Sequence, residues 1–434
     1  MTSDLQAGWK TMPLEDWMAA IVDYRGKTPE KTSSGIPLVT AKIVKGGRIE
    51  DPEEFIAEDA YEQWMRRGIP EAGDVVLTTE APLGEVAQLD GRKVALAQRI
   101  ITLRGKPGLL DNTYLKFALQ SQPIQEQLHG RASGSTVTGI KQSELRKLQL
   151  TFPALAEQQR VAGILGSLDD KIAVNRRISQ TLEAMAQAIF KSWFVDFDPV
   201  KAKIAAKAEG RDPLRAAMTA ISGKPDADLD TLPPDQFTTL AATAALFPDE
   251  LEDSELGEIP KGWQVNKVGQ LLELAYGKAL KATDRVDGPI PVYGSGGVTG
   301  SHNAALVNHG SVIVGRKGTV GALYWEDGPF FPIDTTFYVR PIAAPMTYCF
   351  YLMQTLGLDT MNTDAAVPGL NRENVYRLEH VLPSSTALKA FDSTVGLLRS
   401  AMRANTASST SPQRAARHTA PKLLSGELLR VPKQ

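Results

Sequence analysis

Two stretches of this 434-residue chain, far apart in sequence, close in the same way, and that duplication limits what the chain can fold into. Residues 138–153 read TGIKQSELRKLQLTFP, and residues 368–383 read PGLNRENVYRLEHVLP. Gly139 aligns with Gly369, Ile140 with Leu370, Leu145 with Val375, Leu148 with Leu378, and Pro153 with Pro383. Gly8-Trp9 opens one copy and Gly262-Trp263 the other. Between these ends Gly73 aligns with Gly310, and Gly84 with Gly321. The separations of 254, 237 and 230 residues differ, as they do when loops change length between diverged copies of one unit. Such a chain must bury two cores, and its length allows two or three domains.

The predicted organisation is α+β: two similar mixed modules separated by two long helices, a pseudo-two-fold internal repeat. Residues 1–153 mix β-rich runs (IPLVTAKIV, DVVLTT, VALAQRIITLR) with a helix near 112–128 that Pro123 kinks or splits. Residues 257–383 repeat the plan, with a helix near 346–356. Residues 154–198 read as one long helix whose apolar positions step by threes and fours: Val161, Leu165, Leu168, Ile172, then Leu182, Ala186, Ile189 and Trp193. Asn175 and Ser179 interrupt this seam. Either they form a polar layer that sets register at a cost in stability, or the helix rotates there and exposes Asn175. The predicted partner is the run in residues 384–434, where Leu388, Phe391, Val395, Leu398 and Met402 keep the same rhythm. Residues 199–256 carry eleven acids against six bases and few large apolar side chains, and read as an acidic, Ala/Pro-rich linker with one or two short helices.

No apolar run is long enough to cross a bilayer, and no signal-like segment opens the chain, so a cytoplasmic protein is expected. The single cysteine, Cys349, excludes an internal disulfide and a Cys-cluster metal site, and the five histidines have no ligand spacing. Lookalikes for catalysis fail in turn. Gly26-Lys27-Thr28 lacks the earlier glycine of a phosphate loop, because Ile21 stands there. Tyr293-Gly-Ser-Gly-Gly-Val-Thr-Gly300 resembles a nucleotide loop in composition alone. Asp196 and Asp198 are better placed to end a helix before Pro199 than to hold a metal. No catalytic residue, cofactor or metal is expected.

Polar and basic loops are what remain, and they occur twice. A net charge of −2 argues against indiscriminate coating of nucleic acid, yet residues 24–48 hold six bases against one acid. The candidate DNA contacts of the first module are Arg25, Lys27, Lys42, Lys45, Thr78, Thr79, Ser133, Ser135 and Thr136. Those of the second are Lys278, Lys281, Tyr293, Ser295, Arg316, Lys317, Thr319, Thr335, Thr336, Asn371 and Arg372. Arg and Lys suit guanine edges and phosphates, Asn and Gln suit adenine, and Ser and Thr suit either.

At this point the residues resemble a known family. Ala156-Glu-Gln-Gln-Arg-Val-Ala-Gly-Ile-Leu-Gly-Ser-Leu-Asp-Asp-Lys-Ile172, continuing to Phe190-Lys-Ser-Trp-Phe-Val-Asp-Phe-Asp-Pro199, is similar to the central conserved region of type I restriction–modification specificity subunits. Pro421-Lys-Leu-Leu-Ser-Gly-Glu427 looks like the end of the second conserved region, and Leu256-Gly-Glu-Ile-Pro-Lys-Gly-Trp263 like the lead-in to the second recognition domain. The resemblance implies two target-recognition domains, each reading half of a bipartite site in double-stranded DNA. It implies that the two long helices form an antiparallel coiled-coil pair that holds those domains apart and docks two methyltransferase subunits, with restriction subunits joining the full complex. Helix-seam and docking positions are then Leu165, Leu168, Ile172, Asn175, Leu182, Ile189, Trp193 and Leu398. It also implies a non-catalytic chain.

One departure stands out. Residues 403–420 lack any large aliphatic residue and contain Pro412, so a break near Ser411 and looser pairing are expected there. Leucines at Ala415 and Thr419 are then expected to raise the melting temperature. Two other readings compete with the DNA-recognition one. A coiled-coil scaffold with two protein-binding modules leaves the paired basic loops unexplained, and a stand-alone methyltransferase or nuclease needs a motif that is not found.

Overall fold

A computed structural model of the chain describes residues 8–24, 28–134, 137–361 and 369–424, and only the backbone at 410–422. The chain divides into two compact units, residues 1–175 with 408–434, and residues 176–407.

In the first unit four antiparallel strands, β1 (Met18–Asp23), β2 (Val75–Thr79), β3 (Leu83–Gln88) and β4 (Ile100–Gly105), lie in the order β1-β4-β2-β3. The runs VVLTT and IITLRG suit a doubly covered sheet, because their side chains alternate between two cores. Val75, Leu77, Ile101 and Leu103 face the helical side, where Tyr114, Leu115 and Phe152 pack. Val76 and Ile100 face a second core with Leu38, Ile56 and Leu96. The helical side carries Asn112–Leu119 and Gln122–Gly130, two helices rather than one. Pro123 stands in the first turn of the second helix, where its missing N–H costs nothing. Asp74, almost fully buried, is held by the Arg104 guanidinium at 2.7 and 2.8 Å, and burial of both would be costly without that pairing.

The second unit repeats this plan with loops of different length. Strands β5 (Leu272–Tyr276), β6 (Ser311–Gly315), β7 (Leu323–Glu326) and β8 (Thr336–Pro341) lie in the order β5-β8-β6-β7. The entry and closing strands pair in both copies: Lys10 lies opposite Phe152, and Gln264 opposite Leu382. A short parallel pairing sets Leu38 beside Ala95 in one copy and Val292 beside Phe331 in the other. The aligned Gly84 and Gly321 both adopt positive φ, +90° and +75°, which a side chain tolerates poorly.

Two 40-residue helices, α1 (Leu155–Phe194) and α2 (Ser385–Leu424), contribute to each unit. In the first unit Val161, Ala162 and Leu165 are buried in one core with Leu423, and the Asn175 amide donates to Ser409 Oγ at 3.2 Å. In the second unit Ala186, Phe190 and Trp193 are buried with Leu388, Phe391 and Val395, while Asn405 donates to Ser179 Oγ at 3.4 Å. Numbers that rise on one helix meet numbers that fall on the other, so within each unit the pairing is antiparallel. Leu168, Ile172, Leu182, Ile189 and Leu398 are half-buried. Asn175 is half-buried and bonded, which decides for the polar layer over the rotated helix.

Two expectations are corrected here. The backbone of α2 stays helical through Pro412 instead of breaking near Ser411. An internal proline costs about 3 kcal/mol. Beyond it Leu423 is buried with Leu165, and full burial of one leucine returns about 1.5–3 kcal/mol. The side chains of Ala415 and Thr419 lie outside the described residues. Residues 199–256 are not a linker with one or two helices. They form four helices (Asp198–Ala208, Pro213–Ser222, Asp226–Leu229, Pro234–Ala245) and a hairpin of Leu251–Ser254 with Gly257–Pro260. Small side chains suffice for a core there: Ala217, Met218, Leu229 and Ala244 are buried together, and Arg215 clamps Asp226 and Asp230 at 2.8 Å each. Alanine-rich composition concealed a packed helical unit because close helix approach needs little side-chain volume.

Cys349 is fully buried, and burial pushes its thiol up to about 12, so it is a core side chain and not a nucleophile. His380 is also buried, neither ring nitrogen has a hydrogen-bond partner among the described residues, and burial holds its pKa below the ordinary value. The unfolded chain therefore takes up a proton near pH 6.5 that the folded chain refuses, and stability falls as pH drops below that point. His380→Leu should remove up to about 1.4 kcal/mol per pH unit of that loss. Urea midpoints at pH 7.5 and 5.5, for both proteins, measure it; equal acid sensitivity would sink the idea. Among the described residues no helix is long and apolar enough to cross a membrane, and no cluster of His, Cys, Asp and Glu could hold a metal ion.

Candidate nucleic-acid interface

In each module three segments converge where the central strand leaves the sheet. In the first, the Thr79 N–H donates to the Arg99 carbonyl at 2.9 Å, and the Thr79 carbonyl accepts from Ile140 N–H at 3.0 Å. The next residue, Glu80, bridges to Gly139. A Cβ on Gly139 would stand 3.0 Å from both Glu80 Cβ and the Thr79 carbonyl, so the close approach favours glycine. The Arg99 guanidinium reaches the Glu80 carboxylate at 3.0 Å. Two hollows flank this crossing. One, about 180 Å³, is lined by Lys31, Thr40, Lys42, Gln98 and Arg99. The other, about 350 Å³, is lined by Glu80, Gln98, Ser133 and Lys141. Lys31 is paired with Glu54 at 2.9 Å, whereas Lys42 and Lys141 make no ion pair among the described residues.

The second module builds the same crossing from different side chains. Arg316 N–H donates to the Thr335 carbonyl at 2.9 Å, the Arg316 carbonyl accepts from Leu370 N–H at 2.8 Å, and Lys317 bridges to Gly369. Arg316 thus stands where Thr79 does, Lys317 where Glu80 does, and Asp334-Thr335 where Gln98-Arg99 do. The Arg316 guanidinium lies 4.9 Å from the Tyr276 ring centre and donates to the Asp334 carbonyl at 3.2 Å. The Arg372 guanidinium lies 4.9 Å from the same ring. Tyr276 is 48% exposed, so an accessible tyrosine holds two cations in place by their attraction to its π face. Fixed cations beside open surface suit phosphate oxygens or guanine edges.

The sequence-predicted contacts fall into groups. Lys42, Lys45, Ser133, Lys278, Lys281, Lys317 and Thr319 are exposed, although Lys45 is paired with Glu50 at 3.3 Å. Ser295, Arg316, Thr335 and Arg372 are half-buried at the second crossing. Arg25, Lys27, Ser135 and Thr136 lie outside the described residues. Four assignments are corrected, because the side chains point into the protein. Thr78 is buried and accepts from Glu85 N–H, and Thr79 is buried and donates to the Arg99 carbonyl. Thr336 is buried and donates to the Ile333 carbonyl. Tyr293 is a core residue whose hydroxyl donates to Glu326 at 2.9 Å, and burial together with that carboxylate raises its pKa. Asn371 is exposed, but its side chain caps the helix Arg372–Arg377 by accepting from Glu373 N–H at 2.9 Å.

Sequence reasoning missed Glu80, Gln98, Arg99, Lys141 and Tyr276. The signal was available for one of them: the spacing that aligns Gly84 with Gly321 also sets Glu80 on Lys317.

Against known proteins, the model of the type I restriction modification DNA specificity domain matches residues 6–184 and 260–380, more than half of the chain. The type I restriction enzyme HindI specificity subunit of Haemophilus influenzae is 41% identical over 161 residues, 35% of each chain. The type I restriction enzyme MjaIX specificity subunit of Methanocaldococcus jannaschii is 27% identical over 254 residues, covering 58% of this chain and 48% of that one. These matches thus span about a third to a half of the relatives' lengths. A crystal structure of the type I restriction–modification S subunit from M. genitalium superimposes with a TM-score of 0.52, covers 98% of both chains, and is 17% identical, a likeness of fold.

Proposed function

From its membership in the type I restriction–modification DNA specificity family, to which this chain belongs, we propose that it is the DNA-recognition subunit of such a complex. Residues 1–153 and 257–383 act as two target-recognition domains that read the two halves of a bipartite, asymmetric site in double-stranded DNA. The observation that carries this reading is the repeated crossing: one backbone framework, held by the same hydrogen bonds, presents Glu80, Gln98 and Arg99 in one copy and Arg316, Lys317, Asp334 and Thr335 in the other. Constant geometry with different donors, acceptors and charge is what reading two unrelated sequences requires.

The chain itself has no catalytic role in this reading. Methyltransferase subunits dock on α1 and α2, bring the methyl donor, and flip the target adenine. Restriction subunits complete the assembly, and the cytoplasm is its compartment. Large apolar side chains left open on the helices support a protein partner: Ile164 is 41% exposed in the first unit, and Ile178, Met185 and Leu397 are 44, 47 and 75% exposed in the second.

Methylome sequencing of a strain expressing the modification subunit, with and without this gene, tests the proposal. Adenine methylation at one asymmetric two-part motif should vanish with the gene. An unchanged methylome would overturn the reading.

A further inference from the structure

We infer that Gln98 is the adenine-reading residue of the first module, an assignment that rests on the DNA-recognition reading above and names one contact within it. Gln98 belongs to the lining of both hollows, so its amide stands on the wall they share. It makes no side-chain hydrogen bond among the described residues. Several glutamines of this unit are tied to backbone carbonyls, Gln88 to Gly73, Gln120 to Val86, Gln125 to Gly84 and Leu119, and Gln158 to Leu109 and Pro153, while Gln63, Gln142 and Gln159, without such a bond among the described residues, line neither hollow. A half-buried amide with donor and acceptor both free matches the adenine major-groove edge, which offers N7 to accept and N6–H to donate.

The surroundings suit a duplex pressed against that amide. Lys42 lines one hollow and Lys141 the other, so cations stand on both sides of Gln98 where the flanking phosphates would run. Glu80 occupies Arg99, which keeps that guanidinium from competing for the base edge. Ala81, held at φ +48°, lines the Lys42 side, a strained non-glycine conformation of the kind that collects at binding sites.

The equivalent position in the second module is Asp334, an exposed carboxylate. A carboxylate only accepts, and accepting suits the cytosine amino group. The two modules therefore differ at this position in functional group, amide against acid, and in reach by one methylene.

The test is selection from a duplex library by the full chain with its methyltransferase partners. Wild-type protein should return a two-part motif. Gln98→Ala should lose the adenine preference at one position of one half, by about tenfold in discrimination, and leave the other half unchanged. Gln98→Glu should move that position from adenine towards cytosine. A full motif retained by Gln98→Ala overturns the assignment, as does adenine retained by Gln98→Glu. Weakening of all sequences alike also overturns it, since that marks a phosphate contact. If wild-type protein selects no motif at all, the DNA-recognition reading itself has failed, and the two failures are thereby told apart.

Discussion

Replacing Phe391 with alanine should cost the second unit about 3–5 kcal/mol, a large part of the 5–15 kcal/mol that separates most folded domains from their unfolded chains. The ring is fully buried where α2 meets both α1 and the helix Met346–Thr355. Its centre lies 5.2 Å from that of Phe194, 5.7 Å from Phe190 and 6.2 Å from Trp193, all on α1. It lies 6.0 Å from Tyr351 and 6.4 Å from Tyr348. All five pairs meet edge to face, the arrangement that favours aromatic contacts beyond burial alone. Alanine would leave a cavity ringed by rigid side chains that cannot collapse into it. For a unit of this size such a loss lowers the melting temperature by roughly 10 °C, read as the second unit's transition in calorimetry. Phe391→Leu should recover most of it, and an unchanged melt in the alanine variant would remove this cluster from the account of stability.

Removing Arg316 and Arg372 together should weaken DNA binding at least about 30-fold, since each fixed guanidinium that meets a base edge is worth about 1–3 kcal/mol. Where the contacts are to phosphate, the log–log salt slope should also become shallower by about 0.9 per lost contact. Both side chains rest on the exposed Tyr276 ring and lie outside the core, so the fold should survive. Binding titrations at several salt concentrations separate the two kinds of contact. Unchanged affinity and slope would exclude this pair from the interface. Recognition in the first half-site should persist in the variant, because Gln98 and Lys42 belong to the other module.

The framework was legible in the sequence because repeated geometry needs repeated residues. Gly139 leaves room for Glu80 to approach, and Gly84 and Gly321 share a positive φ. The 3–4 spacing of α1 and α2 follows from helix pitch, so their partnership was foreseeable, while its antiparallel sense came from the family resemblance. Individual contacts were harder to read. Thr78, Thr79 and Thr336 look like surface polar residues until the strand's alternation turns them inward to backbone partners. Gln98 drew no notice because nothing local separates a free amide from the bonded ones around it in sequence.

By itself, then, the sequence determined that there are two copies of one module, two long helices whose apolar seam is interrupted at Asn175 and Ser179, and a family. Only tertiary structure decided that residues 199–256 fold into packed helices, that α2 continues through Pro412, and which side chains face the crossing. The physical reason is the range of the interactions. Periodicity and glycine geometry are set by neighbours in the chain, whereas burial, cavity walls and a cation's seat on Tyr276 are set by residues tens of positions away.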